Sequence, residues 1–143
     1  MTAGAAAEVA PMGSASSYIC RGCGAHFMAR SGGGFFFDML HCDTCGATKE
    51  VGHRELGDVH LGFVKGLPGP YAVARAAMDR RIQAEYQGKP LTRVQYHAAA
   101  ETTLDACTCG GRFRYDAPGR CPECRATDDQ WVVDPTGPMM FID

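Results

Sequence analysis

The chain has 143 residues, 45% of them apolar and 21% charged, which is ordinary globular composition and excludes wholesale disorder. No apolar run approaches the roughly 18 residues that would span a bilayer, so no membrane partner is expected. A formal net charge of −2 argues against adhesion to nucleic acid through bulk charge alone.

Residues 1–17 are rich in Ala, Gly and Ser but lack a basic start and an apolar stretch, so they read as a disordered tail and not as a secretory signal. The expected compartment is the cytoplasm. There disulfides rarely persist, and eight cysteines point to metal or redox chemistry instead.

Residues 18–51 form the first unit. Cys20-Arg21-Gly22-Cys23-Gly24 and Cys42-Asp43-Thr44-Cys45-Gly46 enclose a glycine turn and the aromatic run Phe35-Phe36-Phe37, a strand signal that extends to Leu40. A C-x2-C pair puts two sulfurs on one tight turn, and two such turns complete a tetrahedral site. Eighteen residues separate these pairs, within the range of paired zinc knuckles. Gly24 and Gly46 follow their knuckles, where a residue without a side chain lets backbone N–H groups turn toward the sulfurs.

Residues 52–69 read as a glycine-rich loop in which His53, Glu55, Asp58 and His60 form a solvated polar group. Residues 70–105 read as a helical hairpin. Pro70 suits a first turn, Gly88 and Pro90 a stop, and Tyr71, Ala74, Met78, Ile82 and Tyr86 recur as one apolar stripe. Thr92 with Gln95 makes a capping box for the second helix, and Leu91 can staple onto Tyr96. His97 and Glu101 share a face of that helix, where a partly buried His hydrogen-bonded to Glu is expected.

Residues 106–143 repeat the metal unit. Cys107-Thr108-Cys109 and Cys121-Pro122-Glu123-Cys124, eleven residues apart, bracket a short hairpin containing Phe113 and Tyr115. Trp131-Val132-Val133 reads as a strand, and Met139 to Ile142 as a tail that adds to or packs on a ribbon. Closure within each unit is the simpler pairing because loop-closure cost rises with length. A cross-braced pairing, with Cys20/Cys23 joining the last cysteines, stays open. His26 and His41 lie beside knuckles, but four thiolates already fill a site.

Both units resemble zinc ribbons, the rubredoxin-like four-cysteine knuckle-and-hairpin, over about Tyr18 to Val51 and Ala106 to Val133. The whole chain resembles an uncharacterised bacterial group of double-zinc-ribbon proteins. The resemblance implies a small α+β fold, two ribbons flanking a helical hairpin, and says little about activity.

Two Zn2+ per chain are expected on Cys20, Cys23, Cys42, Cys45, Cys107, Cys109, Cys121 and Cys124, with iron as the alternative. No activated serine, phosphate loop or dinucleotide fingerprint appears, nor any evident small-molecule substrate. The leading expectation is a non-enzymatic adaptor that contacts protein or nucleic acid. One alternative is a nucleic-acid binder using Arg112, Arg114, Arg120 and Arg125, two of which alternate with Phe113 and Tyr115 along a strand. The other is a rubredoxin-like electron carrier.

Overall fold

The computed structural model describes residues 13–142. Its strands form two antiparallel sheets, and its helices lie between the fourth and fifth strands in chain order. The fold class is therefore small α+β.

The first sheet is built on β1 (Gly13–Cys20). β2 (His26–Ser31) pairs along one edge of it, from Ser14↔Ser31 to Ile19↔His26. The chain returns more than a hundred residues later to supply the remaining strands. β6 (Trp131–Val133) pairs with Tyr18 to Cys20, and β7 (Met139–Ile142) pairs with Gly13 to Ser16. Ser17 fixes the turn between these two strands, since its hydroxyl donates to Pro138 O at 2.9 Å and its carbonyl accepts from Asp134 N. Tyr18, Phe27 and Trp131 cluster on this sheet, with Phe27 edge-on to Trp131 at 4.8 Å.

The second sheet has β3 (Phe37–Cys42) at its centre, with β4 (Thr48–Gly52) and the short β5 (Phe113–Arg114) on its two sides. β3 is buried almost throughout, from Phe37 to Leu40 and again at Cys42.

Four helices follow β4: α1 (His53–Leu56), α2 (Asp58–Lys65), α3 (Ala76–Glu85) and α4 (Arg93–Thr103). α4 begins as its sequence dictates. Thr92 N donates to Gln95 Oε1 and Gln95 N donates back to Thr92 Oγ1, a reciprocal capping box. Leu40, Val51, Leu56, Phe63, Tyr71, Tyr96 and Ala100 make one core between the helices and the second sheet. Among the described residues no helix is long and apolar enough to cross a membrane.

Four expectations need correction. Residues 52–69 are not a loop, for they contain α1 and α2. Five glycines in that stretch mask the helix signal, yet Gly62 is needed inside α2: a Cβ there would lie 2.8 Å from Lys89 O and 3.2 Å from Leu91 Cδ1. Nor do α3 and α4 pack chiefly on each other as a hairpin, because each packs on α2. Residues 13–17 belong to β1 rather than to a tail, while residues 1–12 lie outside the described residues. Finally, Phe113 closes no hairpin of its own and pairs with Cys42 on β3.

The apolar stripe of α3 also faces the unexpected way. Met78 is 45% exposed and Ala74 is exposed, whereas Arg75 and Asp79 are buried. Gln83 secures this orientation by donating to Val64 O and Gly69 O.

The close approach at Gly62 yields a test. Gly62→Ala should raise helix propensity yet destabilise the protein by about 1–3 kcal/mol, because the added methyl forces α2 away from the 89–91 segment. Thermal melting of the metal-loaded protein would show a lower midpoint.

Candidate metal centres and a buried polar ring

The four cysteine turns share one geometry. In each, a backbone N–H three or four residues on returns to the carbonyl of the first cysteine: Gly24 to Cys20, Gly46 to Cys42, Gly110 to Cys107 and Arg125 to Cys121. These four residues all have positive φ: 77°, 78° and 96° at the glycines and 65° at Arg125. Arg125 is the one side chain forced into that left-handed conformation. The sulfurs themselves accept from other N–H groups of the turns, such as Gly22 N to Cys20 Sγ at 3.3 Å and Thr44 N to Cys42 Sγ at 3.4 Å. Gly24 and Gly46 close their turns through their own N–H, and the next N–H after Gly46, that of Ala47, donates to Cys45 Sγ at 3.4 Å, as expected.

The turns assemble into two quartets, and their pairing is nested. Cys20 and Cys23 meet Cys121 and Cys124; Cys42 and Cys45 meet Cys107 and Cys109. Closure within each half, the simpler expectation, does not occur. The strands explain why: β6 hydrogen-bonds to β1 and β5 to β3, so each late knuckle is carried to the end of an early strand. Only the Cys20/Cys23 half of this was left open by the sequence, as a cross-braced alternative.

Across the quartets the sulfurs stand 3.7 Å (Cys20–Cys124), 3.6 Å (Cys23–Cys121), 3.5 Å (Cys42–Cys109) and 3.7 Å (Cys45–Cys107) apart. A disulfide would need about 2.05 Å. A tetrahedron with metal–sulfur bonds of about 2.3 Å has edges of about 3.8 Å, so both quartets fit a tetrahedral ion. Burial opposes ionisation of Cys42, but N–H bonds from Cys45 and Thr44 outweigh it and bring the thiol down to about 6. Burial likewise opposes Cys121, and N–H bonds from Cys124 and Glu123 bring it to about 7. The partners shift the other way, since against a bond from Gly111 N–H the contact with Cys42 and burial push Cys109 up to about 11, so a full set of four thiolates would need a cation among them. Gly111 completes the second quartet, since a Cβ there would lie 2.6 Å from Cys42 Sγ.

No histidine joins either quartet. His26 faces Asp134 at 3.4 Å, and His41 is half-buried on β3. His97 stacks on Tyr115 at 3.8 Å instead of bonding Glu101, whose carboxylate accepts from Tyr115 N and pairs with Arg114. The four arginines of the last segment do not form a free basic face. Arg114 is paired with both Asp43 and Glu101, and Arg120 Nη1 donates to Arg125 O. Phe113 and Tyr115 pack against the core.

The sequence reading missed a second constellation. His53 and His60, expected in a solvated loop, are 5% and 3% exposed and stack at 3.8 Å. Arg75 donates from Nη1 to His53 Nδ1 at 2.9 Å and from Nη2 to His60 Nε2 at 3.1 Å. Arginine only donates, so both contacted nitrogens carry lone pairs. His53 Nε2–H therefore donates to Asp38 Oδ1 at 2.9 Å, and His60 Nδ1–H donates to the Tyr96 hydroxyl at 3.2 Å. Tyr96 in turn donates to Asp38 Oδ2 at 2.5 Å, as does Tyr115 at 2.6 Å.

The result is a closed ring running from one cation to one carboxylate through two neutral imidazoles. Asp79 balances Arg75 from Nε and also accepts from Tyr71 N. Burial alone would raise Asp38, but the bonds from His53, Tyr115 and Tyr96 outweigh it and hold the carboxyl at about 2. Burial drives His60 down to about 3. The one sequence clue was the helical spacing of Arg75 and Asp79, which looks like a solvated pair.

A family model described as a domain of unknown function, DUF8255, matches residues 16–130, and the chain belongs to that family. The match takes in all eight cysteines and the whole polar ring. No curated protein and no solved structure matches the chain.

Two predictions follow from the quartets and the ring. In cadmium-substituted protein, Cys42→Ser and Cys107→Ser should abolish the same cadmium NMR resonance, and Cys20→Ser and Cys121→Ser the other; local pairing would instead couple Cys42 with Cys20. Because His60 is depressed far below its ordinary range, folding keeps it neutral while the unfolded chain protonates below about pH 6.5. Stability should therefore fall as pH drops through that value, while the ring nitrogens of His60 show no titration between about pH 7 and about pH 5 by NMR.

Proposed function

We propose that this protein is a non-enzymatic interaction module whose two zinc ions are structural and whose partner is a protein or nucleic acid. The observation that carries this reading is that each quartet supplies four cysteines. A catalytic zinc keeps a position open for water or substrate, whereas four thiolates close the shell.

The polar ring supports the same reading. It resembles a catalytic cluster in composition, but both nitrogens of His53 and both of His60 are already engaged. Neither imidazole has a lone pair or N–H to offer a substrate, so neither serves as a general base as arranged. The ring is better understood as a polar clamp that joins β3, α1, α2, α3 and α4.

Between the two classes of partner, the geometry favours protein. Arg114 is neutralised by two carboxylates, and the rings that would stack on bases lie against the core. A nucleic-acid role would rest on Arg112, Arg120 and Arg125 alone.

Elemental analysis of untagged protein should find two zinc ions per chain in a colourless solution. Iron, with the red colour of a ferric tetrathiolate, would replace this reading with electron transfer. Retardation of single-stranded DNA or RNA at low salt would move the partner to nucleic acid.

A further inference from the structure

The outward turn of α3 helps to create an open cavity of about 510 Å³, within the size range of small-molecule sites. Phe36, Leu61, Met78 and Ile82 form its walls. Two of these, Phe36 at 53% and Met78 at 45%, are exposed to solvent. The exposure of Met78 comes from the fold itself, since Arg75 and Asp79 claim the buried face of the helix.

The floor is made by His53, His60 and Arg75. Its chemistry is more restrictive than those names imply. Every nitrogen of the two stacked imidazoles is committed within the ring, so they offer only carbon to an occupant. A ligand rich in hydroxyl groups, such as a sugar, would leave most of its own polar groups unpaired there. The interior therefore selects an apolar body.

At the mouth the selection changes. Arg54, on α1, lines the cavity, is exposed, and makes no side-chain hydrogen bond or ion pair with the described residues. No acidic side chain lines the cavity, and the guanidinium of Arg75 is already held by Asp79. One free cation beside an apolar chamber is complementary to a single anionic head on an apolar tail.

We propose that this cavity binds a small amphiphilic carboxylate, its tail between Met78, Ile82, Leu61 and Phe36 and its carboxylate on Arg54. This gives the interaction module a ligand of its own, and it rests on the reading that the metal sites are structural.

Octanoate, well below its micellar concentration, is the probe, with octanol and octylamine as controls of equal length. Binding is read by calorimetry and by shifts of the Met78 methyl resonance, on metal-loaded full-length protein. Octanoate should bind and perturb Met78, octylamine should bind at least tenfold more weakly, and Arg54→Ala should weaken octanoate about tenfold while leaving octanol unchanged. Arg54 has no partner to lose, so that variant should melt as the parent does. Met78→Asp, at an exposed wall position, should abolish octanoate binding. Absence of octanoate binding, equal binding of octylamine, or unaltered binding by Arg54→Ala would each overturn the proposal. Metal content measured on the same samples separates the two readings: two zinc ions with no octanoate binding defeats only the ligand.

Discussion

Cys20 and Cys124 are 104 positions apart in the chain, yet their sulfurs stand 3.7 Å from each other. That closure, and the inner one between Cys42 and Cys109, place everything else. The outer quartet ties the first sheet together from both ends of the chain. The inner quartet closes the loop that contains all the helices. Four thiolates at such spacing repel one another strongly unless a cation sits among them. Each quartet could hold a metal ion, and an ion bound there would fasten an early strand to a late knuckle.

Inside the inner loop, the organising group is Arg75. Its guanidinium reaches Phe35 O on the approach to β3, His53 on α1, His60 on α2 and Asp79 on α3. The aromatic rings of Phe36 and Tyr71 lie 5.7 and 5.2 Å from its central carbon. Burying such a cation is costly unless every charge has partners, and removal of one partner leaves the rest exposed to that cost. A hydrophobic core of equal volume would be simpler to build. What the polar ring adds is direction: hydrogen bonds fix the angle and register of each helix where packing alone would allow sliding.

The same choice has a consequence on the surface. A helix that spends one face on Arg75 and Asp79 must show its apolar residues to solvent, and Met78 is therefore exposed beside a chamber lined with carbon. The ring and the cavity are two sides of one arrangement. Arg114 follows a comparable logic, since Asp43 and Glu101 draw it into the joint between β5, the inner knuckle and α4.

The sequence by itself determined the local features. C-x2-C turns, the Thr92–Gln95 box and the strand at Trp131 are each decided within a few residues, by turn geometry, capping or alternation, and they appear where those rules put them, while the strand expected over Phe35 to Leu40 runs two residues later, from Phe37 to Cys42. Which cysteine pairs share a site was not a local matter. Loop-closure cost favours near neighbours, and it was outweighed by strand pairing between distant segments, whose hydrogen bonds no short window reveals. The same holds for His53, His60, Arg75 and Asp38. Each is ordinary surface chemistry alone, and only the tertiary structure, by bringing one cation and one carboxylate to opposite ends of two imidazoles, makes their burial tolerable.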